Sequence, residues 1–449
     1  MLAGRDGLVN APGANDTQDQ ARVLQRKLYR AAKQSRGRRF HALYDKVHRR
    51  DILERAWVEV ARKGGAAGVD GQTIEAIRQQ GVSEFLSVLQ AELREGSYRP
   101  LAVRRVAIPK AAGDGERLLG VPAVRDRVAQ AAARIVIEPI FEADFCDCSF
   151  GFRPKRSARQ ARERVRGQIQ RERRHFVVDA DIKGFFDNLD RGLLRRALRE
   201  RISDRRVLAL IDRWLRAGVL VDGTLLHPQT GTPQGGVISP VLANVYLHAL
   251  DRVWQERYGG LGKLTRYADD AVILCASEDR ARRALDALAR LLAELKLELS
   301  PAKTRIVNLE CEGEGFDLLG FHFRRVPSRR DRSYRYAASW PSQRTMAAAR
   351  QRVRELTPLS RVGLPTSMVV QDLNRFLRGW GAYFRYGNST QQFSALDVYV
   401  FERLSRFLSR KHGSSGRGAG MNTLIDSQAK LGIYRLTGTV RNDWAHAAR

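Results

Sequence analysis

The chain is poor in several things at once. It has only four cysteines, Cys146, Cys148, Cys275 and Cys311, too few and too irregular for a disulfide framework and with no C-x-x-C pair among them. Structural zinc is therefore not expected. No run of 18 apolar residues, signal-peptide segment or lipidation signal is present, so the sequence offers no membrane-spanning helix and reads as a cytoplasmic protein. Acids are scarce as well: 49 Asp and Glu face 79 Lys and Arg in 449 residues, a formal charge of +30. That excess goes beyond what solubility requires and implies a polyanionic partner. Apolar residues make up 43% of the chain, which leaves ample material for cores in a multi-lobed molecule of this length.

Where acids are scarce, their placement is informative. Asp269 and Asp270 stand side by side in residues 264–275, whose apolar and β-branched flanks predict two short strands joined by a tight turn. Adjacent carboxylates repel, and in a half-buried site one pKa rises unless a cation neutralises them. Alone, the motif is equally compatible with a solvated turn. A second β-rich run, residues 175–182, carries Asp179 and Asp181 and leads through Lys183, Gly184, Phe185 and Phe186 to a helix. Brought beside the hairpin, Asp181 completes a three-carboxylate set suited to two Mg²⁺ ions, the chemistry of nucleotidyl transfer. In residues 231–236, Gly235 and Gly236 let backbone approach a ligand closely, and Gln234 can hydrogen-bond near a template base or nucleotide.

Charge runs mark the remaining candidates. Residues 153–174 hold ten basic and two acidic side chains, which favours phosphate contact by Arg153, Arg156 and their neighbours over a solvated face. Residues 324–361 hold eleven basic and two acidic, including Arg350, Arg352 and Arg354. Arg375, Arg378 and Arg385 then alternate with Phe376, Trp380 and Tyr383, a pattern suited to unstacked bases although helical aromatics are most often core.

Four motifs now stand in order: Ser149-Phe150-Gly151-Phe152-Arg153-Pro154, the segment from Asp181 to Phe186, the loop 231–236, and Tyr267-Ala268-Asp269-Asp270. Together they resemble the reverse transcriptases encoded by bacterial group II introns, with a maturase region after them, and the resemblance runs from about Phe40 to the C-terminus. It implies an α/β (α+β) right-hand polymerase with an antiparallel palm sheet and an α-helical thumb. The implied divisions are a disordered stretch at 1–20, a basic N-terminal extension at 21–100, fingers and palm at 101–325, a thumb/maturase domain at 326–411 and a short basic tail at 412–449. Amphipathic spacing in 21–63 leaves open whether the extension contacts template or is solvated on one face. Many relatives end in an HNH endonuclease with cysteine pairs; none is expected here, because the stretch after Lys411 has His412 and His446 but no cysteine.

The implied function is RNA-directed DNA synthesis coupled to intron binding, splicing assistance and mobility. Asp181, Asp269, Asp270 and the Ile182 backbone would hold metal, and Lys303 would protonate departing pyrophosphate. Lys110, Arg117, Ile182, Phe186 and Gln234 would bind the nucleotide, with Phe186 excluding a 2′-hydroxyl, and residues 316–321 would grip the primer. Implied partners are intron RNA, an RNA template with DNA primer, dNTPs and target DNA. Two rival readings are a group-II-like enzyme turned to defence or repair and an RNA-binding splicing factor with incidental polymerase activity.

Overall fold

The computed structural model describes residues 13–109, 116–221, 224–226, 231, 235–411 and 431–441. Its strands, in chain order, are β1 (Val103–Pro109), β2 (Glu116–Val121), β3 (Phe176–Asp181), β4 (Val219–Val221), β5 (Thr224–Leu226), β6 (Gly262–Tyr267), β7 (Asp270–Cys275), β8 (Arg305–Asn308), β9 (Gly315–Leu318), β10 (Phe321–Pro327) and β11 (Arg335–Pro341). They make three sheets, ordered β2-β1-β4-β5, β6-β7-β3-β8 and β11-β10-β9. The second, wholly antiparallel, is the palm. Among the described residues no helix is long and apolar enough to cross a membrane.

The near-continuous apolar run of β7 has a simple cause, since both faces of the palm are covered. Ala271, Ile273 and Cys275 join one core, while Val272 and Leu274 join another. The first core surrounds the almost wholly buried helix Val124–Glu142. Helices Gly13–Gln34 and Arg50–Lys63 lay Leu24, Leu28, Ile52, Leu53 and Val60 into that same core. The extension is thus part of the folded lobe. Residues 13–20, expected to be disordered, belong to the first of these helices, whose apolar stripe from Ala21 onward anchors the preceding turns.

The second core joins the other palm face to helix Ala158–Gln170, the β9–β11 sheet and the helices Gln343–Leu356, Thr366–Phe384 and Thr390–Lys411. Residues 431–441 dock on the last two: Leu436 is fully buried, the Tyr434 amide donates to Asn374 Oδ1 at 2.6 Å and the Leu436 amide to Asp397 Oδ1 at 3.0 Å. The boundary expected at 325 falls inside β10, which pairs with β11 from Phe321 opposite Pro341 to Pro327 opposite Arg335. The arginine-rich composition there marks the outward face of a hairpin. The helical thumb begins after Ser342, whose hydroxyl caps the next helix by accepting from the Thr345 amide at 3.3 Å. The tail residues 412–430 and 442–449 lie outside the described residues.

Candidate active site at the edge of the palm sheet

Strand register, more than sequence distance, gathers the acids. Asp181 ends β3 directly opposite Asp270, which begins β7, and Asp270 in turn pairs with Tyr267 across a two-residue turn of Ala268 and Asp269. Asp270 is exposed along one edge, yet the sheet beneath withdraws enough water, and Asp269, Asp181 and Asp179 add enough like charge, to push its pKa up to about 6. Asp179 was not singled out from the sequence. It lies two residues before Asp181, hence on the same face of β3, and burial lifts it to about 6 despite Arg305 Nε at 3.7 Å. The alternation Asp-Ala-Asp was the available signal.

Residues 300–304 wrap the end of β3. The Ser300 amide donates to the Asp181 carbonyl at 2.8 Å, and Lys303 Nζ donates to Asp181 Oδ2 at 3.3 Å. Lys303 is thus beside the acidic edge of the palm. Ile182 is buried and bridges to Leu299. Of the two following phenylalanines, Phe185 is buried and Phe186 lines a cavity of about 640 Å³. Val106, Ile108 and Leu119 of the fingers hairpin, Phe152, and Gly235 and Gly236 share that cavity's wall with charged Arg104 and Arg127, and Gly64 and Gly65 of the extension lie at its side. Gly235 has φ 120°, and a Cβ there would meet the Gly120 carbonyl at 2.2 Å, so the loop presses on β2 where only glycine fits. Lys110 and Gln234 lie outside the described residues, as does the Arg117 side chain.

The loop 149–154 supports the acidic turn from below. The Phe150 amide donates to the Arg266 carbonyl at 2.9 Å and the Arg266 amide to the Cys148 carbonyl at 2.8 Å, while a Cβ on Gly151 would meet the Ala268 nitrogen at 2.3 Å. On the thumb side, Tyr383 Oη donates to the Leu319 carbonyl at 3.1 Å, in the turn between β9 and β10. Burial, with Tyr267 nearby, raises the Tyr383 pKa to about 12. The acidic turn, the β9–β10 turn and the thumb thus converge.

Two sequence families match this chain in tandem: reverse transcriptase (RNA-dependent DNA polymerase) over residues 108–323 and group II intron, maturase-specific domain over residues 346–424. Protein YkfC of Escherichia coli (strain K12) is 35% identical over 314 residues, which cover 62% of this chain and 81% of that one. The chain belongs to the group II intron reverse transcriptase and maturase family. As a member it is an RNA-directed DNA polymerase, and such enzymes use divalent metal ions. The group II intron-encoded protein LtrA of Lactococcus lactis subsp. cremoris is 36% identical over 215 residues, 47% of this chain but 35% of LtrA. One chain of a partial Cas6-RT-Cas1–Cas2 complex aligns at 26% identity with a TM-score of 0.35, covering 56% of this reverse transcriptase and 41% of that chain.

Several arginines read as RNA contacts are engaged elsewhere. Arg153 is 6% exposed; its Nε and Nη2 grip Glu142 at 2.9 and 2.8 Å, and its Nη1 donates to the Cys146 and Ser149 carbonyls. It fastens the 149–154 loop and is not free for phosphate. Arg156 pairs with Asp147 at 2.6 Å and covers the Phe150 ring. The set Arg350, Arg352 and Arg354 does not form one patch, because alternate residues on a helix diverge. Arg352 pairs with Glu355 at 2.8 Å, and Arg354 bonds Gln351. Arg375 is largely exposed beside Asp372, Arg378 covers the Tyr434 ring and Arg385 donates to Tyr386 Oη at 3.2 Å. Trp380 packs between Phe384 and Phe393, so it belongs to the core and offers little to a base.

Proposed function

We propose that this reverse transcriptase synthesises DNA at the Asp181–Asp270 edge with Mg²⁺, and that its maturase helices hold group II intron RNA, so that one protein assists splicing and carries the intron into target DNA. The pairing of Asp181 with Asp270, five residues from a Phe186 that lines the neighbouring cavity, carries this reading. We place its work in the cytoplasm.

The donor set is all oxygen, which suits a hard cation, and the raised Asp270 pKa reports crowded negative charge that a cation relieves. Among the described residues no three acid, imidazole or thiol groups close around one point. Mg²⁺ needs no such cage, since it is commonly held by one or two carboxylates with waters and substrate phosphates completing the shell. Asp181, Asp269, Asp270 and the Ile182 carbonyl would hold it. Held there, a pair of ions would supply activation of a 3′-hydroxyl and charge stabilisation for a leaving pyrophosphate. Lys303, beside Asp181, would serve the leaving group as acid, Lys110 and Arg117 would neutralise the triphosphate, and Gln234 would orient the base.

Primer extension with Asp269→Asn and Asp270→Asn, each checked for fold by circular dichroism, tests the site. Loss of several kcal/mol of charge stabilisation should lower the rate on the order of a thousandfold. Wild-type rates in both folded variants would end the assignment. Phe186→Val should raise ribonucleotide use relative to deoxyribonucleotide, and an unchanged ratio would remove the gate. An intron RNA fold in the DNA flanking the gene supports intron duty; its absence supports defence or repair.

A further inference from the structure

Arg266 immediately precedes the Tyr-Ala-Asp-Asp turn, and neither it nor its partner Asp251 exposes any side-chain surface. Its guanidinium has five N–H donors, and the structure occupies all five. Nε and Nη2 grip the two Asp251 oxygens at 2.8 and 2.5 Å. The second Nη2 proton goes to Ser149 Oγ at 2.8 Å, and Nη1 donates to Asn244 Oδ1 at 3.2 Å and to the Ala268 carbonyl at 2.8 Å. Asn244 Nδ2 in turn donates to the Gly151 carbonyl at 2.8 Å. One side chain therefore ties a helix, the 149–154 loop and the acidic turn to a single point.

The Ala268 bond is the telling one. Ala268 sits at φ 58°, a region an alanine occupies at a cost of about 1 to 2 kcal/mol, and its carbonyl belongs to the peptide plane that leads directly into Asp269. Holding that oxygen fixes the plane and hence the direction of the Asp269 backbone. Stability alone does not call for this arrangement, because a fully buried ion pair replaced by well-packed apolar groups is often neutral or better. Lysine, with a compact ammonium in place of a planar fork, cannot reproduce the five directions.

We propose that Arg266, oriented by Asp251, is the positioning residue of the catalytic turn and sets how well Asp269 and Asp270 meet the metal; this rests on reading those two acids as metal-binding. The test replaces the pair by an apolar one, Arg266→Met with Asp251→Leu, and measures thermal unfolding, kcat, KM for primer–template and the Mg²⁺ concentration for half-maximal rate. Expected are a folded protein somewhat less stable than wild type, because Ser149 Oγ, Asn244 Oδ1 and the Ala268 carbonyl lose their donor, kcat reduced on the order of a hundredfold as for a small misplacement of reacting groups, a higher half-maximal Mg²⁺, and an unchanged primer–template KM. A merely structural pair would leave this packed double variant as active as wild type, which overturns the proposal. Arg266→Lys keeps the charge against Asp251 and carries the same test should the double variant not fold; wild-type kcat and Mg²⁺ dependence there also overturn it. Asp269→Asn runs in parallel. Its inactivity beside an unaffected Arg266 variant refutes the positioning role alone, whereas its full activity refutes the metal reading and the proposal with it.

Discussion

The palm and the thumb spend their arginines in opposite ways. In the palm layer Arg153 and Arg266 lie inside, each gripped through two nitrogens by one carboxylate, with the remaining donors on backbone and side-chain oxygens of the catalytic loops. On the thumb helix Gln343–Leu356, the buried stripe is Met346, Ala349, Val353 and Leu356, and Arg350, Arg352 and Arg354 stand outside it. The difference lies in available acids. A palm arginine finds Glu142 or Asp251 on an adjacent helix and becomes architecture; an arginine of the helix Gln343–Leu356 finds at most a neighbouring Glu355 and keeps its field for something else. Count of basic residues, large in both regions, does not separate these fates.

The comparison can be broken first on the interior side. Arg153→Ala leaves Glu142 half-withdrawn from water without its partner, and unfolding experiments should show a loss of about 3 kcal/mol. RNA affinity at fixed folded fraction should keep its salt slope. A variant of normal stability with a shallower slope would return Arg153 to the phosphate-binding set.

A second interior charge sharpens the point through pH. Glu138 lies in the central helix with Arg134 Nη1 at 3.4 Å, and burial, only partly offset by that arginine, raises its pKa to about 7. The folded protein therefore holds a proton there that the unfolded chain releases near 4.5. The associated stability is complete below the unfolded value and is lost as pH rises through 7. Glu138→Gln should match wild type at pH 5 and exceed it by about 2 kcal/mol at pH 8 in denaturant titrations. Parallel curves at both pH values would show that Arg134 already neutralises the site.

On the exterior side the effect is smallest. Arg350→Gln with Arg354→Gln removes two outward charges four residues apart and should leave thermal unfolding unchanged. Intron RNA affinity should fall roughly tenfold at moderate salt, and the log–log salt slope should shrink by about 2. Adding Arg352→Gln should contribute less, because Glu355 already pairs with it. An equal contribution from all three, or none, would sink the distinction drawn here.

Much of the site was legible because its signals are local. Apolar and β-branched runs, a two-residue turn and adjacent acids describe β6 and β7 without reference to the rest of the chain, whereas Phe185 and Phe186, expected on a strand, lie in the short helix Phe185–Asn188 after Gly184, with Phe185 buried and Phe186 on the cavity. Arg266 was not legible as a positioning residue. Its partner Asp251 lies 15 residues earlier on a helix and, Ala268 aside, its other contacts come from 22 and 117 residues away, so no short window of sequence contains the network. That the boundary expected at 325 falls within β10 has a related cause: the change in composition there says nothing of the pairing that carries β10 through to Pro327 opposite Arg335.

The N-terminal helices carry a consequence for synthesis. Gln25 reaches the carbonyl of Ile135, 110 residues downstream, and the apolar stripe of the first helix joins the core around that central helix. At ribosomal rates the partner emerges roughly 5 to 20 seconds later. Through that interval a nascent chain bears bare leucines on one side and uncompensated cations on the other, in a cell crowded with RNA. Its earliest folding problem is thus one of timing, settled only when Val124–Glu142 leaves the exit tunnel.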